Sequence, residues 1–156
     1  MKKTIYLRAL CALLLLFVLG LSLVGCVGRV DDHGSCTVVI ACGDDVREYS
    51  VPLDKVDGSK GAVGLLDYLK ENEGVEYTSN DTGYGAYITS VGHLSEKPSE
   101  NIYVGIWTSV ESDQDRESGY ATTVTYKGAE LVFSGVGLTQ LSAPDGAVIY
   151  FGEIRY

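Results

Sequence analysis

Between Cys36 and Tyr156 the chain reads as eight strand-like stretches and one helix-like stretch, with the helix falling after the second strand. That placement restricts the fold more than any other feature. CTVVIAC (36–42) is rich in β-branched residues, Gly43-Asp44-Asp45 gives a turn, and REYSVPL (47–53) supplies the second strand. Asp57–Gly61 leads into AVGLLDYLKEN (62–72), where Ala62, Leu65, Leu66 and Leu69 recur at helical spacing, and Gly74 is the expected stop. Gly64 sits inside this helix despite a penalty of about 1 kcal/mol relative to alanine, which predicts close packing on the sheet. VEYTS, AYITSV, NIYVGIWTSV, ATTVTY, AELVFS and AVIYFGEI follow, separated by glycine, proline and acidic turns. Their starts lie roughly ten residues apart, a spacing that suits antiparallel strands better than βαβ units.

Two strands, one helix and then more strands is the order of a β-grasp. The expected class is therefore α+β, an antiparallel or mixed sheet packed on one main helix, preceded by a signal peptide and a short tether.

The N-terminal segment has its own grammar. An apolar run from Ala9 to Val24 follows Lys2, Lys3 and Arg8 and closes in Leu23-Val24-Gly25-Cys26. A basic start, a leucine-rich core and small residues before a cysteine have the anatomy of a secretory signal peptide. The LVGC ending resembles the lipobox of bacterial lipoproteins, whose peptidase cuts before the cysteine and whose cysteine thiol carries diacylglycerol. The expected division is 1–25 signal peptide, 26–35 lipidated tether and 36–156 domain, with Cys26 as the lipidation site. A diacyl anchor plus an amide-linked chain such as palmitate would hold the protein at the extracytoplasmic face of the cell membrane, at about 0.8 kcal/mol per buried methylene. The alternative is a permanent transmembrane helix, since the run is near the roughly 18-residue minimum for spanning. No basic stop-transfer cluster follows it.

Twelve Lys and Arg stand against 21 acids; three of the cations and none of the acids precede Cys26, so the mature chain carries nine against 21, a net charge of −12. Such a surface repels phosphate backbones, which argues against nucleic-acid partners and against membrane contact beyond the anchor. Catalysis has little support. The two histidines are His33, in the tether, and His93, and no nucleophile elbow, phosphate loop or HExxH motif is present. The chain is expected not to be an enzyme. The acidic run Glu111–Gly119 fails the EF-hand spacing, with Val124 where the bidentate acid would stand, so it reads as a solvated loop and no metal site is expected.

The tract from Cys36 to Tyr156 resembles the transcobalamin-like C-terminal domain family, through CTVVIAC, GAVGLLDYLKEN, GYGAYITSVGHL and the closing APDGAVIYF. It departs from the family at Gly105-Ile106-Trp107, which runs into an acidic loop instead of an asparagine-glycine turn. The resemblance implies a β-grasp domain of the soluble ligand-binding type. In the vertebrate cobalamin carriers this domain caps one face of the corrinoid. A cobalamin-like ligand is thus suggested by resemblance only, because those carriers add an α/α-barrel domain that residues 1–156 do not contain.

Alternation in NIYVGIWTSV sends Ile102, Val104, Ile106 and Val110 to one face and Tyr103, Gly105, Trp107 and Ser109 to the other. With the aliphatic side in the core, Tyr103 and Trp107 become candidate ligand-stacking rings with Gly105 opening room between them, and Tyr84, Tyr87 and His93 would line the same edge. The alternative is that a neighbouring strand or loop covers the rings as a second small core. Two function classes follow: an anchored module for a corrinoid or other planar ligand, or a protein-interaction or adhesive domain meeting another envelope protein. Cys36 and Cys42 lie about 20 Å apart if CTVVIAC is one strand, whereas a disulfide needs under about 7 Å between α-carbons, so they should not pair.

Overall fold

The computed structural model describes residues 27–82, 85–119 and 121–156. The signal segment and Cys26 lie outside the described residues, as does Tyr84. Along the chain run β1 (Ser35–Cys42), β2 (Asp45–Pro52), α1 (Val63–Glu73), β3 (Tyr77–Thr82), β4 (Gly85–Val91), β5 (Leu94–Ser95), β6 (Ile102–Thr108), β7 (Thr123–Tyr126), β8 (Ala129–Phe133) and β9 (Val148–Arg155). This is a sheet-rich α+β fold. No helix among the described residues is long and apolar enough to cross a membrane.

Six strands form a mixed sheet in the order β2-β1-β9-β6-β8-β7, and β3-β4-β5 form a second, antiparallel one. Among the strands of the described residues, β1 and β9 alone pair in parallel, with Val38 opposite Ile149 and Ile40 opposite Phe151. The main core lies between one face of the large sheet and a cover made by α1 and the small sheet. Val38, Ile40, Ile149 and Phe151 meet Leu65, Leu66 and Leu69 of the helix and Ile88, Val91 and Leu94 of the small sheet. Gly74 ends the helix in the left-handed conformation (φ 68°), its N–H donating to the Leu69 carbonyl.

Gly64 packs closely, but against a different partner from the one expected. A Cβ there would lie 2.6 Å from the Asp57 carbonyl oxygen and 2.8 Å from Val56 Cγ1, so the helix leans on the segment before it and not on the sheet. Gly64→Ala should therefore lower stability by about 1 to 3 kcal/mol, although helix propensity alone would raise it. Thermal unfolding read by circular dichroism decides the sign.

β1 is unbroken, and both cysteines are free. Cys36 and Cys42 share the core-facing side, and burial pushes the Cys36 thiol up to about 12. Native-state alkylation should spare Cys36, and nonreducing peptide mapping should yield no Cys36–Cys42 pair.

The segment expected to be a free tether is folded into the domain. Gly28 N–H donates to the Thr139 carbonyl (2.9 Å), Ala143 N–H to the Arg29 carbonyl (2.8 Å) and Asp31 N–H to the Ala143 carbonyl (3.3 Å). Gly28 is buried because it lies on the Leu141 backbone, where a Cβ would come within 2.1 Å of a carbonyl oxygen. The polar composition of 27–35 does not reveal this, because most of these bonds are made by the strap's backbone, joined by the Asp31 carboxylate, which accepts from Asp145 N–H (3.0 Å).

The large sheet curls until its two edges touch. Lys127 and Gly128, both at positive φ, make the tight turn between β7 and β8, and Lys127 Nζ reaches Glu48 on β2 at 2.8 Å, with the Tyr126 hydroxyl donating to the same carboxylate. The hairpin thereby closes over the sheet face opposite the helix.

Candidate functional site

The β7–β8 hairpin decides the fate of the aromatic face. Alternation in β6 is as expected, but Trp107 is 3% exposed and forms a second core with Leu131 and Ile154, flanked by Tyr103, Phe133 and Tyr150. Its ring meets those of Phe133 and Tyr150 edge-on at 5.5 and 5.9 Å, and its Nε1–H donates to the carbonyl and hydroxyl of Thr122. Gly105 opens room for this same indole, not for a ligand: a Cβ there would stand 2.5 Å from Trp107 Cη2. Trp107 is therefore removed as a ligand-stacking ring. Tyr103 is half-buried beside it and stacks obliquely on Tyr156 at 5.8 Å.

His93 is also placed elsewhere. It follows β4 in a turn, and its Nε2–H donates to the Asp45 carbonyl (3.1 Å) at the β1–β2 turn. It lines a polar hollow with Arg47, Tyr49 and Glu73–Glu76. A second polar hollow, beside α1, is lined by Lys60, Asp67 and Lys70, whose charges are paired, Lys60 with Asp67 at 2.7 Å and Lys70 with Glu76 at 2.6 Å.

The apolar opening lies between β4 and β6. A cleft of ≈ 210 Å³ is walled by Ala86, Tyr87 and Ile88 on one side and Val104 and Ile106 on the other, and closed by Phe133, Ser134, Val136 and Gly137 after β8. Of the residues expected at the site, Tyr87 alone among the described ones lines it. Tyr87 is 37% exposed, and burial together with the bond it donates to Glu96 (3.1 Å) pushes its hydroxyl up to about 12. It is thus a neutral donor and an apolar wall at ordinary pH.

Sequence reasoning put Val104 and Ile106 in the core and gave the loop after β8 no role. The signal available was Ser134-Gly135-Val136-Gly137, two glycines around one valine where a strand ends. Two bonds tie that loop to the two strands that wall the cleft. Ser134 N–H donates to the Ile106 carbonyl (2.8 Å), and Leu138 N–H to the Ala86 carbonyl (3.1 Å). Thr139 joins cleft to strap, since its hydroxyl accepts from Ala86 N–H (3.1 Å) while its carbonyl accepts from Gly28.

The acidic loop is less solvated than its composition implies. Asp113 is 9% exposed, and its carboxylate accepts from Ser142 N–H (2.6 Å) and the Ser112 hydroxyl (2.8 Å). It staples the loop after β6 to the strap's partner segment. Among the described residues no group of three or more His, Cys, Asp or Glu is placed to hold a metal ion.

No family model and no curated protein matches the sequence. Solved structures do. A Ruminococcus gnavus ATCC 29149 protein, provisionally named metal-binding, superposes with a TM-score of 0.51 at 16% identity over 80% of this chain and 99% of its own. Haptocorrin in complex with Cbi superposes with a TM-score of 0.51 at 12% identity over 79% of this chain, which spans 25% of the haptocorrin chain. At these identities the likeness is one of fold, and the chain shares its architecture with both proteins.

Proposed function

We propose that this chain is a ligand-binding module of the β-grasp, transcobalamin-like type, anchored through lipid on Cys26 at the extracytoplasmic face of the membrane and lacking enzymatic activity. The observation that carries the binding reading is the apolar cleft between β4 and β6, with Thr82, Tyr87 and Ser134 as the hydroxyl-bearing residues of its lining. Pockets for small ligands combine an apolar lining with a few fixed polar groups, which is what this one offers. At ≈ 210 Å³ it takes a small molecule or one arm of a larger one, below the volume of drug-sized sites. The haptocorrin likeness supports a ligand role for the fold; in this chain the ligand is a flat or branched apolar moiety, a corrinoid being one source of it. The order of two strands, a helix and further strands, with β1 and β9 parallel at the centre, supports the β-grasp assignment.

The test uses the full chain, extracted from its own membranes in detergent. Intact-mass analysis should find a diacylglyceryl group on Cys26, and Cys26→Ala should accumulate as unprocessed precursor. Denaturation should release a copurifying small molecule that is missing from Val136→Trp, in which an indole fills the cleft. If neither protein releases one, the cleft reading is wrong.

A protein-interaction role has one observation in its favour. β3 is an edge strand whose residues Thr78 to Asp81 are exposed, in the manner of strands that add a partner's strand.

A further inference from the structure

The cleft has walls of a particular kind. β6 uses one edge for β9 along its whole length, Ile102 to Thr108, but β8 pairs with the other edge only at Trp107 and Thr108. On that second edge the Ile106 carbonyl is taken by Ser134, and Ile102 exchanges bonds with Lys97. Backbone groups point to alternate edges along a strand, so Val104, two residues from each, turns its N–H and C=O the same way. Val104 pairs with nothing on this edge among the described residues, and it lines the cleft.

The facing strand repeats the pattern. β4 gives one edge to β3, with a bulge after Ile88, and on the other edge Ala86 is held by Leu138 and Thr139 while the Thr89 carbonyl accepts from Glu96 N–H (2.9 Å). Ile88 shares the orientation of Ala86 and likewise pairs with nothing there among the described residues. β4 and β6 belong to different sheets and do not pair with each other. The cleft is therefore flanked on both sides by unused ladder groups, a donor and an acceptor from each strand, set among Ile88, Val104, Ile106 and Val136 side chains.

Buried backbone groups are almost always satisfied, and an apolar ligand alone would strip water from these without replacing its bonds. We infer that the ligand of this cleft carries a secondary amide between branched apolar groups. A trans amide projects its N–H and C=O in opposite directions, so one amide can accept from one strand edge and donate to the other. This rests on the reading of the cleft as a ligand site and adds the chemical class.

The experiment compares two isosteric probes on the full-length protein in detergent micelles: N-isobutyl isovaleramide and isobutyl isovalerate, in which oxygen replaces the amide N–H. Binding is followed by backbone amide shifts in a selectively labelled sample. The amide should bind at least about fivefold more tightly than the ester, and should shift the Val104 and Ile88 amide resonances. Equal binding by both, with those resonances unmoved, would leave the cleft a ligand site and overturn the amide inference. Failure of both probes to perturb any cleft residue at millimolar concentration would overturn the inference together with the reading beneath it.

Discussion

Trp107→Ala will lower the unfolding free energy by about 3 to 5 kcal/mol, the range for deleting a core aromatic. The indole bridges the sheet and the hairpin laid over it, so its removal leaves a hole between Phe133 and Tyr150 and takes away one of the two donors, indole and Phe133 N–H, to the Thr122 carbonyl. Gly105 and Gly152, paired across β6 and β9, would form the bare floor of that hole. Nothing on the strands can collapse into it. Tyr156→Ala, at a residue 74% exposed, serves as the control and should change stability by less than about 0.5 kcal/mol. Chemical denaturation of the two variants checks the contrast. A Trp107→Ala protein as stable as the parent would mean that the hairpin does not cover the ring.

Gly28→Ala comes second in size, at roughly 2 to 4 kcal/mol. The new methyl group would meet the Leu141 carbonyl oxygen at 2.1 Å and that of Gln140 at 2.6 Å, both backbone atoms with little freedom to move. The strap must lift, releasing the bonds from Gly28 to Thr139 and from Ala143 to Arg29. Hydrogen exchange separates this from general destabilisation. The amides of Asp31 and Ala143 should lose protection first, while Ile40 and Phe151, at the centre of the large sheet, should change only with global stability.

The elements themselves were legible in the sequence, and their assembly was less so. Every expected strand and the helix occur within a few residues of their expected bounds, because β-branched runs, the Leu65-Leu66-Leu69 stripe and the Gly74 stop are local signals. The two-residue β5 is too short to leave one. The aromatic face failed for a different reason. Alternation correctly put Tyr103 and Trp107 on one side of β6, but whether that side meets solvent depends on where β7 and β8 fold, some 20 residues later. Glu48 and Lys127, 79 positions apart, pin that hairpin. The cleft was hidden for the same reason: Val104 and Ile88 acquire a role only when two sheets fail to pair. No period along one strand encodes a gap beside it.

The parallel pairing of the first strand with the last governs when this domain can exist. β9 stands between β1 and β6, so until residues 148–155 are available the large sheet has no middle, and its two halves hold apolar faces with no neighbour. Contacts this distant in sequence make folding slow and leave hydrophobic surface uncovered while it proceeds. A chain emerging from its N-terminus cannot complete this sheet until residues 148–155 arrive. Under the export across a membrane proposed above, that delay would let the chain be threaded through before the large sheet closes.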